Sequence, residues 1–465
     1  GSVNKISKVV GDKVNVTPYT SMYPVSNPGD LMYYSFDGVV RYSFMSLIKS
    51  HSGIIRTIRD PLKVDILCID FNCLIHKYLK DKDPIESVIE GLKLIMENIC
   101  NAQEIIIAFD GLVPYGKIVQ QRYRRMHLKD SVDEFDRNQI SPDTPYMKKL
   151  ENELQNRFPN IKISPTQKSG EGEHKIFREL RKLKDLKSIC IYGLDADLIL
   201  LSLYHHNLAS ENMFLLRESI EMHSEGEFSI LNCKLLSTIL PLDIKQYLVL
   251  CILCFGNDFM PNLALFSLRD GGYERALHIY TKIGKPDLLT EDGRHEFLKE
   301  SSKYEIEFLQ TKLRKNSFER TIIHSNPILI SKKYYLHNLD GVKNIDNVVI
   351  AYWKTFHWTL DYFMNNKPLN WSWYYPYSDA PLINDIIQIY EVQCEKSPLK
   401  FTITDQLKFI LPSNSLKLTK RKPIFKDEIY SQTRPIWIKR HDWEMKPAIS
   451  LPWNPNSILT SISPL

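Results

Sequence analysis

The sequence predicts an α/β fold, a mostly parallel twisted sheet flanked by helices. Three observations lead there: β-rich apolar runs alternate with helical periodicity from residue 64 to about 260, an acidic residue closes or follows each run, and the chain turns aromatic and irregular beyond about 346.

Val64–Asp70, Glu104–Asp110 and Ser188–Gly193 read as strands buried on both faces, because they are nearly continuous apolar runs rather than alternating ones. Amphipathic helices are expected near 84–100 and 174–184, and an apolar helix at 243–255. Residues 290–320 read as a charged helix with a solvated face. Residues 1–37 are polar and turn-rich, with Pro18, Pro24 and Asn27-Pro28-Gly29, which suggests an extension. The predicted organisation is an extension (1–37), a catalytic region (38–345), and a mainly helical and irregular second region (346–465) wrapped around the core.

Composition narrows the class. With 465 residues, 43% hydrophobic and 11% aromatic, the chain can bury a large core. Its net charge of +5 is too mild to announce a nucleic-acid partner, so any basic surface must be local. The 8 cysteines are scattered, mostly in apolar runs, which favours a reducing compartment. Cys251 and Cys254 form a C-x-x-C without a second ligand pair and read as core. No apolar run reaches the ~18 residues of a membrane span. An intracellular protein is expected, cytoplasmic or nuclear.

Ligands of open parallel sheets bind at the carboxyl ends of the strands. Asp70 and Asp110 occupy that place, and a third strand runs into Gly193-Leu194-Asp195-Ala196-Asp197. Gly170-Glu171-Gly172-Glu173 adds a second i, i+2 pair, its glycines letting backbone approach a ligand, and Asp258 follows the apolar helix. Each alone could be a cap or turn residue. Seven carboxylates meeting in a low dielectric would repel and take up protons unless cations neutralised them. Oxygen ligands select hard ions, so two Mg²⁺ are expected, with Mn²⁺ able to substitute. Such a pair suits phosphodiester hydrolysis.

After Asp110, a helix following Pro114 would place Lys117, Gln121, Arg124 and Arg125 on one face, fit to hold a terminal phosphate. His76, one turn beyond Asp70, could stack on a base, as could Trp371 or Trp373, although a core role is open for each.

These motifs, in this order, resemble the Xrn family of 5′→3′ exoribonucleases: Ile-Asp-Phe-Asn-x-x-Ile-His at 69–76, Asp-Gly-x-x-Pro-x-x-Lys-x-x-Gln-Gln-Arg-x-Arg-Arg at 110–125, Gly-Glu-Gly-Glu-His-Lys at 170–175, Tyr-Gly-Leu-Asp-Ala-Asp-Leu at 192–198 and Gly-Asn-Asp-Phe-x-Pro at 256–261. Trp358, Trp371–Tyr377 and Ala380-Pro381 resemble its second conserved region. The likeness implies a nuclease core of the PIN and flap-endonuclease kind acting on single-stranded RNA with a 5′-monophosphate. By the same likeness, Asp70, Asp110, Glu171, Glu173, Asp195, Asp197 and Asp258 match the acidic metal site. Lys117, Gln121, Arg124 and Arg125 match the phosphate pocket, and His76 with Trp371 or Trp373 the base stack. The chain departs from the pattern in its extension, in Cys73 where Gly is usual, and in Pro261-Asn262-Leu263-Ala264 where Pro-His-Leu-Pro is usual. The rival readings are a flap-endonuclease-like DNA nuclease and a non-catalytic RNA-binding scaffold.

Overall fold

Two alternating apolar faces on one set of strands organise the molecule. The computed structural model describes residues 53–79, 84–118, 121, 136–193, 195–218, 227–315, 327–339, 342–377 and 379–411. The extension, Arg124, Arg125, Leu194 and everything past 411 lie outside the described residues.

Seven strands form one sheet: β1 (Ile55–Thr57), β2 (Leu62–Asp70), β3 (Cys100–Ala108), β4 (Lys162–Ser164), β5 (Ser188–Tyr192), β6 (Asn212–Glu218) and β7 (Phe228–Asn232), in the order β1-β7-β6-β5-β2-β3-β4. From β4 across to β6 every pairing is parallel, while β7 and β1 close one edge antiparallel. The register sets Asp70 beside Ala108 and Ile69 beside Tyr192, so the three central strands end level. The chain passes from β2 to β3 on one side and returns to β5 on the other. That reversal makes the carboxyl end of β2 the crevice of the sheet.

Ile66 and Cys68 of β2 point into one core with Ile106, Ile189 and Ile191, whereas Leu67 and Ile69 point into another with Ile107 and Cys190. The second core is covered by α1 (Phe71–Lys77), α2 (Pro84–Leu94) and α3 (Pro145–Arg157). The first is covered by α4 (Gly172–Leu180), α5 (Ala196–Tyr204), α6 (Cys233–Ile239) and α7 (Ile244–Cys254), then extended by α8 (Gly272–Lys282), α9 (Glu291–Lys315), α10 (Pro327–Asn338), α11 (Ile345–Asn365) and α12 (Ile383–Ile386). The last helix among the described residues, α13 (Ile403–Ile410), is held at its start by a reciprocal capping box between Thr402 and Asp405.

Both faces of the parallel strands are therefore buried, as the apolar runs predicted. The helix expected over 84–100 runs as α2 to Leu94 and continues as a π-helical turn over Ile95–Ile99, directly before β3, which pairs with β2 from Leu62 onward. Asp110 accordingly lies beyond its strand, not at its last position. The charged helix expected at 290–320 is α9, which keeps a solvated face and buries Phe297, Leu298, Ser301, Glu305 and Leu309 along its other side, where Arg294 forms a buried ion pair with Glu391 at 2.7 Å. Charge masked the amphipathic stripe there. Cys251 and Cys254 are buried in α7 as core residues. Among the described residues no single helix is long and apolar enough to cross a membrane.

Candidate metal centre

The seven carboxylates come from five places along the chain, and the sheet brings them together. Asp70 ends β2 and caps α1, and Asp110 follows β3 with its backbone N–H donating to Asn72 Oδ1 at 3.1 Å. Glu171 caps α4 and Glu173 stands in its first turn. Asp195 caps α5, making no side-chain capping bond, and Asp197 stands in the first turn of that helix. Asp258 lies in the turn after α7, shaped by the Asn257 Oδ1 that accepts from Phe259 N at 2.8 Å.

Gly172 sits where a side chain would not fit. Its N–H donates to Asp110 Oδ1 at 2.6 Å, and a Cβ on it would stand 2.8 Å from Asp70 Oδ1 and 3.2 Å from Asp110 Oδ1. The glycine thus lets the start of α4 touch two carboxylates at once. Its helix N-terminus also points a positive dipole end at them. Lys175, one turn on, donates to the carbonyls of Phe109 and Pro165, both at 2.7 Å, tying the ends of β3 and β4 to α4. Burial, the largest influence, holds its ammonium down to about 7.

Crowding appears in the protonation of the cluster. Burial first, then the charges of Asp110 and Asp195, push Asp70 well above the usual carboxylate range. Glu173 is raised by burial and then by Glu171, Asp195 and Asp197. Asp197 is raised by burial and then Asp258, with Lys117 opposing. These mutual influences link the carboxylates into one electrostatic unit. Asp70 Oδ1, Glu173 Oε2 and Asp197 Oδ1 are buried without a hydrogen-bond partner. Orphaned acceptors on acidic groups that repel one another are the donor set a hard divalent cation fits.

Lys117, expected on one helix face with Gln121, is buried, with Nζ 2.6 Å from Asp258 Oδ2 and 3.1 Å from Glu171 Oε2. Burial works against its charge, but Asp258 and Glu171 outweigh that and hold its pKa well above the ordinary lysine value. Residues 115–118 and 121 are helical, and Gln121 Oε1 accepts weakly from Gln406 Nε2 at 3.4 Å. Arg124 and Arg125 fall outside the described residues.

His76 is half-buried in the last turn of α1. Trp371 is 5% exposed, and its carbonyl accepts from Tyr115 N at 2.9 Å. Trp373 is half-buried, donates from Nε1 to Thr355 Oγ1 at 3.0 Å and lines a small cavity with Gly116, Phe259 and Trp358.

Two neighbours of the cluster were given no role at the site from the sequence. Tyr362 of α11 donates to Glu171 Oε1 at 2.8 Å, and its ring stacks on His174 at 3.9 Å. Cys73 Sγ donates to Asp70 Oδ2 at 3.3 Å. Tyr362 lies in an aromatic helix whose spacing reads only as core, so no signal marked it. Cys73 was visible as a thiol one turn from Asp70.

The sequence of the chain is similar to those of known proteins. A model of the XRN 5′-3′ exonuclease N-terminus matches residues 35–134 and 127–219, which include every carboxylate of the cluster except Asp258. A model of the Xrn1 helical domain matches residues 330–422, including Tyr362 and both candidate tryptophans. The chain is 30% identical to 5′-3′ exoribonuclease 1 of Saccharomyces cerevisiae, over 49% of this chain and 19% of that protein. It is 24% identical to 5′-3′ exoribonuclease 1 of Homo sapiens, over 76% of this chain and 29% of that one. The matches thus span less than a third of the length of either relative. Among solved structures, the catalytic core of Rad2 in complex with DNA substrate is similar at a TM-score of 0.37 and 16% identity, covering 83% of this chain and 96% of that one. Two family models, matched in order over more than half of its residues and enclosing six of the seven clustered carboxylates, show that the chain belongs to the XRN 5′-3′ exonuclease family.

Proposed function

We propose that the chain is a 5′→3′ exoribonuclease that hydrolyses single-stranded RNA from a 5′-monophosphate end and releases 5′-mononucleotides. The observation that carries this reading is the meeting of seven carboxylates, three with orphaned buried oxygens, at the crevice of the sheet. Family membership and relatives named as 5′-3′ exoribonucleases support it.

In this reading Asp70, Asp110, Glu171, Glu173, Asp195, Asp197 and Asp258 hold two Mg²⁺, with Mn²⁺ able to replace them. When bound, the ions supply Lewis-acid stabilisation of phosphate charge and lower the pKa of water. Lys117 bridges two tasks: from the edge of the cluster its ammonium neutralises Glu171 and Asp258, and it faces the phosphate of the strand end. Gln121, with Arg124 and Arg125 further along the same stretch, completes that pocket, whose planar guanidiniums suit a terminal phosphate. His76 and one of Trp371 and Trp373 stack on the leading base. Trp373, being less buried, has more ring to offer. The division into a catalytic region (38–345) and a second region (346–465) belongs to the same proposal. Tyr362 on Glu171 is its point of contact at the site.

The test is a Mg²⁺-dependent time course on 5′-phosphate, 5′-triphosphate and 5′-hydroxyl versions of one RNA, with product sizing. Mononucleotides released from the monophosphate end alone are expected. Faster cleavage of flapped DNA would install the DNA-nuclease reading, and RNA binding without cleavage would install the scaffold.

A further inference from the structure

We propose that Asp70, Cys73 and Asp195 form a site for a thiophilic divalent cation, with zinc as its natural class, at the rim of the acidic cluster. One ligand atom from each of the three lies within 4.8 Å of the others. The thiol is already aimed at the site, with Cys73 Sγ 3.3 Å from Asp70 Oδ2. Independently of the thiol, Asp70 is 4% exposed and its Oδ1 has no hydrogen-bond partner, leaving the second oxygen of the same buried carboxylate unsatisfied. A tetrahedral zinc with Zn–S of about 2.3 Å and Zn–O of about 2.1 Å sets its S···O edge near ~3.6 Å, close to the separation observed.

Sulfur decides the class of ion. Oxygen-only groups take Mg²⁺, while a thiolate beside two carboxylates shifts the preference to Zn²⁺ or Cd²⁺. The other candidate group among the described residues, Glu171, Glu173 and His174, has no sulfur, and its imidazole is stacked on Tyr362 and in contact with Asn366. On binding, the Cys73 S–H bond breaks, its proton passes to solvent buffer, and the sulfur lone pair forms the metal bond. Such an ion would occupy Asp70 and Asp195 and withhold them from hard cations, making it an inhibitor of whatever those cations support. The site rests on the geometry of the cluster and not on the reaction proposed above.

The test uses the full chain in saturating Mg²⁺, titrated with Co²⁺ while thiolate-to-metal charge-transfer absorption is read, then back-titrated with Zn²⁺. A band that saturates at a single equivalent, is displaced by Zn²⁺, disappears in Cys73→Ser and persists in Cys254→Ser is expected. No band in the wild type, or an undiminished band in Cys73→Ser, overturns the site. Should Cys73→Ser fail to melt cooperatively, Asp195→Asn decides, since it keeps the thiol. A weakened band supports the site and an unchanged one refutes it. A protein that shows the band but cleaves no RNA sinks the exoribonuclease reading alone, and one that cleaves without the band sinks this site alone.

Discussion

Lys117 Nζ lies 2.6 Å from Asp258 Oδ2, which places a buried ammonium inside a nest of carboxylates contributed by other parts of the chain. In the absence of divalent ions this lysine is a cation that the acidic cluster holds by direct contact. Replacing Lys117 by Gln should therefore destabilise the chelated protein, by up to about 3–5 kcal/mol for a buried pair broken from one side. Proton uptake by Glu171 would offset part of that. Mg²⁺ should recover more stability in the variant than in the wild type. Thermal melts with chelator and with Mg²⁺ measure both, and equal melting temperatures in chelator would show that Lys117 neutralises nothing.

Asp195 and Asp197 stand two residues apart at the start of α5, and the charges of both act on Glu173. The double variant Asp195→Ala with Asp197→Ala should stop turnover of 5′-monophosphorylated RNA while leaving RNA bound. A loss of several kcal/mol of charge stabilisation corresponds to about a thousandfold or more in rate. Single-turnover cleavage alongside filter binding separates the two effects. Retained turnover would remove both residues from the metal assignment.

Tyr362 joins the second region to the site through one hydrogen bond, 2.8 Å to Glu171. Tyr362→Phe keeps the ring that stacks on His174 and deletes only that donor. Hydrogen bonding from Tyr362 opposes the upward push of burial on Glu171, so its removal should raise the proton affinity of that carboxylate. The Mg²⁺ concentration needed for half-maximal cleavage should rise about 10- to 100-fold, the usual effect of losing a group that orients a ligand. An unchanged Mg²⁺ dependence would reduce Tyr362 to packing.

The sequence disclosed the parts of this molecule whose physics is local. Apolar runs such as Ile66–Ile69 announce strands buried on both faces, and carboxylates just beyond them announce a crevice, because strand ends in a parallel sheet share one side. Lys117 was legible as a cation near Asp110 but not as a partner of Asp258, since that pairing depends on how α7 and its following turn return to the sheet. Tyr362 was hidden for the same reason: its hydroxyl acts at a residue 191 positions away while its ring follows an ordinary core spacing. In α9, Glu and Lys residues on the outer side concealed a buried stripe that includes Glu305 itself.

Glu305 supplies a pH test far from the metal centre. It is buried, and its oxygens accept from Ile383 N at 2.8 and 3.1 Å, anchoring α12 to α9. Burial, opposed by the N–H groups of Ile383 and Asn384, pushes its carboxyl up to about 8 from an ordinary 4.5. A carboxyl raised in the folded state keeps its proton where the unfolded chain has lost it, so the folded form binds more protons between these two values. Stability contributed by this group is therefore complete below about 4.5 and is lost as pH rises toward about 8. The slope has an upper limit of roughly 1.4 kcal/mol per pH unit. Glu305→Gln keeps an acceptor for Ile383 N and cannot ionise, so its stability should fall less steeply over that range. Denaturant unfolding of both proteins at several pH values measures the difference. Parallel curves would mean that Glu305 is ionised in the folded protein and that its two N–H donors outweigh its burial.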